Sequence, residues 1–360
     1  MTKHIDLLRD LCLAPGPTGF EAAAQEVFRR RLAPLGKASG DPLGNVWLSV
    51  GPDDGPLVAV VAHADQIGLI VTYVDEHGYL SVERIGGVAP LLVPGRHFVV
   101  HGRGGPVHAV GGRKPSHIIP EEERRTAPEL HEQFLDIGAA DRETALARVA
   151  VGDPVTFTPD FLELSPGVVA TQALDDRAGM YAVARALETY AAEPGSARLA
   201  GFATVHEETT FMGARALALR LRPDMLIVLD GDFCSDTPAA DAKQLAGDVR
   251  LGRGPVLGRG AGSSEPLVAL AREVAAAEGI PVQVKAFPGE TETDADELMA
   301  AGVCATLSVG LPLRYMHSPF EVACVDDLEA AARLVAALAR RAGEEGSAED
   351  TAVTTPEVGA

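Results

Sequence analysis

The hydrophobic pattern divides the chain into three textures. Residues 3–13 and 20–33 carry apolar positions at helical spacing: Leu7, Leu8 and Leu11 on the first, Phe20, Ala24, Val27 and Phe28 on the second. A breaker-rich turn, APGPTG (14–19), separates them. NVWLSV (45–50) and LVAVVAH (57–63) read as strands, and the second is apolar without interruption, as burial on both faces requires. From about 67 to 160, glycine and proline punctuate short β-branched runs such as LIVTYV, HFVVHG and DPVTF. That spacing predicts a small β-barrel or sandwich, with a helical look only in the charged stretch 121–134. From about 170 the pattern alternates. Helices are predicted over 175–192, 214–221, 265–279 and 326–342; strands are predicted at 224–232, 282–287 and 305–312, with 201–208 as a strand and its exit.

This alternation predicts an α/β fold, a sheet with parallel strands flanked by helices, with the small β-rich domain inserted. Residues 1–66 and 161–342 then form one discontinuous domain around the insert at 67–160. Residues 343–360, small, acidic and Thr/Pro-containing, read as a disordered tail.

Charge narrows the function classes. The 360 residues carry 51 acidic and 31 basic side chains, a formal net charge of −20. Such a surface repels phosphate backbones and anionic lipid, which argues against nucleic-acid and membrane partners. No apolar run approaches the roughly 18 residues of a membrane span. The N-terminus, with Asp6, Arg9 and Asp10 inside its apolar pattern, is an amphipathic helix rather than a signal peptide. Cys12, Cys234, Cys304 and Cys324 form no CxxC pair and read as buried small hydrophobes. A cytoplasmic protein is expected.

Open α/β sheets bind ligands at the carboxyl ends of their strands. There stand His63 and Asp65, His206-Glu207-Glu208, Asp230 and Asp232, the pair Asp175-Asp176 at a helix start, and His317 after the last strand. Each alone has a plain structural reading. Together they put many carboxylates where burying charge is prohibitive without a counter-ion. The only cationic side chains beside these motifs are Arg177 and Arg314, so a divalent cation supplies the missing charge most simply. Mixed His and carboxylate donors favour zinc, or cobalt and manganese. Of two adjacent glutamates on a strand exit, one can ligate while the other stays free as a base. The His63-x-Asp65 spacing lets Asp65 accept the other imidazole N–H and fix the tautomer. Competing motifs fail: position 210 is Thr, which breaks HExxH; the stretch 252–262 satisfies no phosphate-binding pattern and reads as a loop; 260–264 lacks a nucleophile elbow.

These residues resemble the M42 family of aminopeptidases, of the dinuclear zinc exopeptidase clan. The resemblance runs from LCLAPGPTGFE (11–21) through DPLGNV (41–46), HADQIG (63–68), GRKPSH (112–117), LDIGA (135–139), ALDDRAG (173–179), HEE (206–208) and TDA (293–295) to RYMHSPFEVACVDDLEAA (314–331). It implies that His63, Asp230 and a bridging Asp175 hold one metal, and Glu208 and His317 the other. It implies Glu207 as general base, Asp65 as orienter of His63, and a cis peptide after Asp175. Two divalent ions, zinc before cobalt or manganese, would serve cleavage of N-terminal residues from short peptides. The resemblance further implies a zinc-exopeptidase-like α/β catalytic domain, a mixed, mainly parallel sheet flanked by helices, with an inserted small β-barrel or PDZ-like domain that would drive assembly to a dimer or a dodecamer. If a neighbour's insert approaches the site, Lys114 or His117 would contact substrate in trans; His77, His97, His101, His108 and His131 read as structural or surface groups. The chain departs from the family at Gln66 (usually Glu), at Thr209, Thr210 and Phe211 (where EEVG is usual) and at Glu292 (usually the Gly of GTDA). Two alternatives are a metal-dependent deacylase or amidase of a small non-peptide amide, and a non-catalytic scaffold that kept the fold.

Overall fold

The computed structural model describes residues 4–119, 128–238 and 240–346. Helices α1 (Ile5–Leu13) and α2 (Ala22–Leu32) open the chain, followed by strands β1 (Ser39–Gly40), β2 (Val46–Val50) and β3 (Leu57–His63). Six strands come next: β4 (Gly68–Val74), β5 (Leu80–Ile85), β6 (His97–Gly102), β7 (Gly105–Arg113), β8 (Gln133–Asp136) and, after α3 (Arg142–Leu146), β9 (Pro154–Phe157). The hairpin β10 (Phe161–Ser165) and β11 (Val168–Thr171) leads into α4 (Leu174–Ala192). The remainder is β12 (Arg198–Thr204), α5 (Glu207–Thr210), α6 (Met212–Ala218), β13 (Met225–Phe233), β14 (Val256–Gly260), α7 (Glu265–Ala277), β15 (Gln283–Phe287), α8 (Asp294–Ala300), β16 (Thr306–Arg314), β17 (Glu321–Cys324) and α9 (Val325–Gly346).

The main sheet runs β1-β2-β12-β3-β13-β16-β17-β11-β10, with β14 joined to β16 and β15 joined to β14. Its centre is parallel: β12 pairs with β3, β3 with β13, and β13 with β16. Antiparallel strands flank it. β3 explains why its sequence is apolar throughout. Val58, Val60 and Ala62 join the core under α4 and α9, while Ala59 and Val61 join the opposite core under α6 and α8. The second unit is a closed barrel, β4-β5-β8-β7-β6-β9, filled by Leu69, Val71, Leu80, Phe98, Val100, Leu135 and Phe157.

Several expectations need correction. The stretch 121–134 forms no long helix in what is described: residues 121–127 lie outside it, Leu130–Glu132 make one 3-10 turn, and Gln133 begins β8. Leu135 is fully buried in the barrel, and that burial overrides the charged pattern. The supposed loop at 252–262 contains β14, whose Gly258 admits the Phe287 ring and whose Gly260 admits the Phe287 backbone. The last helix runs to Gly346, beyond the expected start of the tail; residues 347–360 lie outside the described residues. Cys12, Cys234 and Cys324 are buried, whereas Cys304 is partly exposed. No described helix is long and apolar enough to cross a membrane.

Asn45 ties the antiparallel edge to the site-bearing strands. Its side chain donates to Gly213 O (3.1 Å) and Asp41 Oδ2 (2.9 Å) and accepts from Val205 N (3.1 Å), all with no exposed surface. Asn45→Ala leaves a buried N–H and carbonyl without partners. We expect a stability loss of roughly 2–3 kcal/mol in chemical denaturation.

Candidate metal centre and active site

The carboxyl ends of the parallel strands carry the candidate residues to one point. β3 ends at His63, opposite Thr204 at the end of β12, and Asp230 lies on β13 just beyond its pairing with β3, where it still pairs with Gly310 of β16. Asp175 and Asp176 precede the regular part of α4; both have non-helical dihedrals, and the peptide between them is cis. Their labours differ. Asp176 caps the helix, accepting from Gly179 N (2.9 Å), and also accepts from His63 N (3.2 Å). Asp175 turns to the other side and faces two histidines: Oδ1 is 3.1 Å from His63 Nε2, and Oδ2 is 3.4 Å from His317 Nε2.

Around that axis, Asp230 Oδ1 lies 4.0 Å and Glu207 Oε2 3.8 Å from His63 Nε2, while Glu208 Oε2 lies 3.5 Å from His317 Nε2. All of His63, Asp175, Glu207, Glu208, Asp230 and His317 therefore converge. Two sets among the described residues could each hold a metal ion: His63, Asp175 and Glu208, and His63, Glu207 and Asp230. The electrostatics express the same crowding. Burial pushes Glu207 up to about 10 and Glu208 up to about 8, with neighbouring carboxylates adding to both. Burial likewise pushes Asp230 well above the usual carboxylate range. Burial opposes charging His63, but Glu207, Asp175, Asp65 and Asp230 outweigh it and raise its pKa well above the ordinary value. Arg177 and Arg314 offer no relief. The first reaches Leu11 O (3.2 Å) and Gln66 Oε1 (3.5 Å), the second forms a bidentate pair with Asp236 (2.7 and 2.6 Å). The donor set thus lacks positive charge, and mixed imidazole and carboxylate donors fit divalent zinc, cobalt or manganese.

Two details differ from expectation. Glu207 and Glu208 stand on a turn of helix, not a strand exit, because His206 takes a left-handed conformation (φ 62°) and starts α5. The Asp65 carboxylate is 3.5 Å from His63 Nδ1, but the nearer acceptor is its own backbone carbonyl at 3.1 Å. The carboxylate itself accepts from Thr18 Oγ1 (2.7 Å), Glu207 N (3.0 Å) and Glu208 N (3.1 Å). Burial works to raise Asp65, yet these bonds and His63 hold it below its usual range.

Glu321 escaped the sequence reading. It is buried and accepts from Asp175 N (3.0 Å) and His317 N (2.9 Å), tying together two strand-end residues 142 positions apart in the chain. Its place in FEVAC, a few residues after His317, is the only sequence signal. Asp294, buried behind Glu207 and bonded to Thr204, was quoted only as part of TDA. Among the described residues, the seven non-glycine positions with positive φ cluster here too: Ala173, His206, Phe211, Ala246, Glu292, Tyr315 and His317. Each either lines the adjoining cavity or stands within two residues of a cage residue, as expected where local strain is tolerated for function.

A mixed sheet carries a His–carboxylate cage at its carboxyl edge with a barrel appended, and comparison with known proteins gives the class and the family. A model of the M42 glutamyl aminopeptidases matches residues 44–334. The lysyl aminopeptidase of Pyrococcus furiosus is 32% identical over 92% of this chain and 96% of its own. The glutamyl aminopeptidase of Lactococcus lactis is 27% identical over 89% and 92%. Among solved structures, the TET aminopeptidase of the marine sediment archaeon Thaumarchaeota archaeon SCGC AB-539-E09 superposes with a TM-score of 0.90, at 30% identity over 96% of this chain and 98% of that one. The chain belongs to the M42 glutamyl aminopeptidase family and is accordingly a hydrolase of the aminopeptidase class.

Proposed function

We propose that the protein is a dinuclear metal-dependent aminopeptidase that releases N-terminal residues from short peptides. The observation that carries this reading is the position of Asp175, whose two carboxylate oxygens face His63 and His317 separately. One metal would be held by His63, Asp230 and Asp175, the other by Glu208, His317 and Asp175. When bound, such a pair polarises the scissile carbonyl and acidifies a water. Glu207 Oε2 and Asp230 Oδ1 stand almost equally far from His63 Nε2 (3.8 and 4.0 Å), and we assign Glu207 as the free base on the resemblance of its HEE motif to the family's. Glu207 then takes the water's proton and delivers it to the leaving amine. The cage's acidity suits a cationic α-amine, which restricts cleavage to the free end of a chain.

Self-association is part of this reading. The Pyrococcus horikoshii TET1 peptidase, described as assembling into a tetrahedron or a large octahedral shell, shares 29% identity and a TM-score of 0.84 over 94% of this chain and 99% of its own. A dimer or a dodecamer would serve here. Lys114 and His117 are exposed beside the barrel, where contact with a neighbour's substrate in trans is possible to test by substitution. A cytoplasmic location is proposed on the same footing.

The test is a rate survey over aminoacyl amides and their N-acetylated forms, with zinc, cobalt and manganese each restored to the apoprotein. Two equivalents of metal per chain and cleavage of free-amine substrates only are expected. One equivalent or fewer would overturn the dinuclear reading, and preferred cleavage of the acylated forms would favour the deacylase.

A further inference from the structure

A cavity of about 580 Å³ opens beside the cage, with Glu207, Asp230 and His317 in its wall. On the aminopeptidase reading, this cavity takes the side chain of the substrate's N-terminal residue. Beyond the cage the walls are largely apolar, with Phe211, Phe233, Phe287 and Met316 among them. Four further charged side chains line the cavity: Asp232, Lys285, Glu290 and Glu292.

Their arrangement is uneven. Asp232 and Lys285 form an ion pair, and the ammonium also lies 5.5 Å from the centre of the Phe287 ring. Lys285 is therefore already neutralised. Asp232 is only 4% exposed, and its Oδ2, close over Gly310 of the cavity floor, has no hydrogen-bond partner. That oxygen presents no surface to the cavity, so Asp232 acts on the cavity's charge through its pairing with Lys285. Glu290 and Glu292 are exposed at the mouth, and neither side chain has a hydrogen-bond or ion-pair partner among the described residues. Glu292 holds a left-handed backbone (φ 56°), a conformation that favours glycine, yet it keeps a charged side chain against the cavity.

Three carboxylates outside the cage thus face one ammonium, and that ammonium is spoken for. We propose that the cavity selects peptides whose N-terminal residue is lysine or arginine. The methylene stem packs on the aromatic walls, and the cationic head takes the carboxylates of Glu290 and Glu292 at the mouth. An acidic side chain gains Lys285 only by competing with Asp232, and it meets Glu290 and Glu292 on the way. A leucine side chain fills the apolar walls but leaves every one of these carboxylates without a new partner. Discrimination therefore comes from repulsion of the acid as much as attraction of the base.

The experiment compares kcat/KM for the lysyl, arginyl, leucyl and glutamyl p-nitroanilides on the metal-loaded enzyme. Lysyl and arginyl substrates are expected to exceed glutamyl by about tenfold or more, with the margin shrinking as salt is raised. The Glu290→Gln/Glu292→Gln double variant is expected to lower the lysyl-to-leucyl ratio by about fivefold, and Asp232→Asn, which leaves the Lys285 ammonium without its counter-ion, to lower it as well. A glutamyl or leucyl substrate turned over faster than the lysyl one would overturn the proposal, as would a ratio indifferent to the double variant. Titration calorimetry separates the two levels of the argument. Zinc-loaded Glu207→Gln should bind L-lysinamide more tightly than the α-amide of L-glutamic acid. That preference, without turnover of any p-nitroanilide by the parent enzyme, would sink the aminopeptidase reading and keep the cavity's selectivity; its loss would sink the selectivity.

Discussion

Glu207→Gln is expected to lower kcat by about 10²–10⁴-fold, the usual span of general acid–base catalysis, while the metal content stays at two equivalents. The substitution keeps the shape and volume of a buried side chain and removes only its capacity to accept a proton. Glu207 N donates to Asp65, so the amide at 207 is held by a bond that the new side chain does not touch. His63 Nε2 retains Asp175 as its nearest carboxylate. The competing assignment makes Glu207 a ligand beside His63 and Asp230, a set the geometry also permits. Metal analysis separates the two. If Glu207 ligates, the glutamine variant loses an equivalent along with its activity; if it is the base, it loses activity alone. Full activity in the variant would remove both roles.

The reasons that this site was legible lie in the parallel strands. LVAVVAH can be nothing but a doubly covered strand, since Val60 and Val61 belong to cores on opposite faces of the sheet. Once it is central, its carboxyl end is a place where a ligand binds, and His63 stands there. The same logic reached Asp230 and the Glu207-Glu208 pair, because β13 and β12 run parallel to β3. The barrel was legible as texture, from glycine-punctuated β-branched runs, although β8 hid inside a charged segment.

What was illegible shares one physical feature: it depends on contacts between distant residues or on single backbone angles. Glu321 does nothing local; it accepts amides at 175 and 317. The Asp232–Lys285 pair spans 53 positions and leaves no trace in any window of sequence. Phe211 adopts positive φ with a bulky side chain that disfavours it, so propensity argues against the turn that it makes. These are the places where local preference yields to the requirements of a site.

Asp65→Ala is expected to lower kcat by about 10²-fold and stability by roughly 3 kcal/mol, and the reason is not chiefly His63. The sequence motif suggested a carboxylate that orients an imidazole. In the structure its two oxygens gather the hydroxyl of Thr18 and the amides of Glu207 and Glu208, in a spot with no exposed surface. Truncation leaves those donors buried and unpaired, each worth about 1–3 kcal/mol less any relaxation. It also frees the turn that carries both the proposed base and a proposed ligand, and a displacement of about 1 Å there is enough to cost two orders of magnitude. Asp65→Asn keeps one oxygen but turns an NH2 toward donors, so it falls between the two. Thr18→Val distinguishes the accounts. It leaves His63 untouched, so a role through the imidazole alone predicts wild-type kcat, whereas a role in holding the turn predicts a loss of several-fold. Steady-state kinetics beside urea denaturation of the three variants decides it, and a kcat within twofold of wild type in Asp65→Ala would end the claim that this carboxylate positions the base.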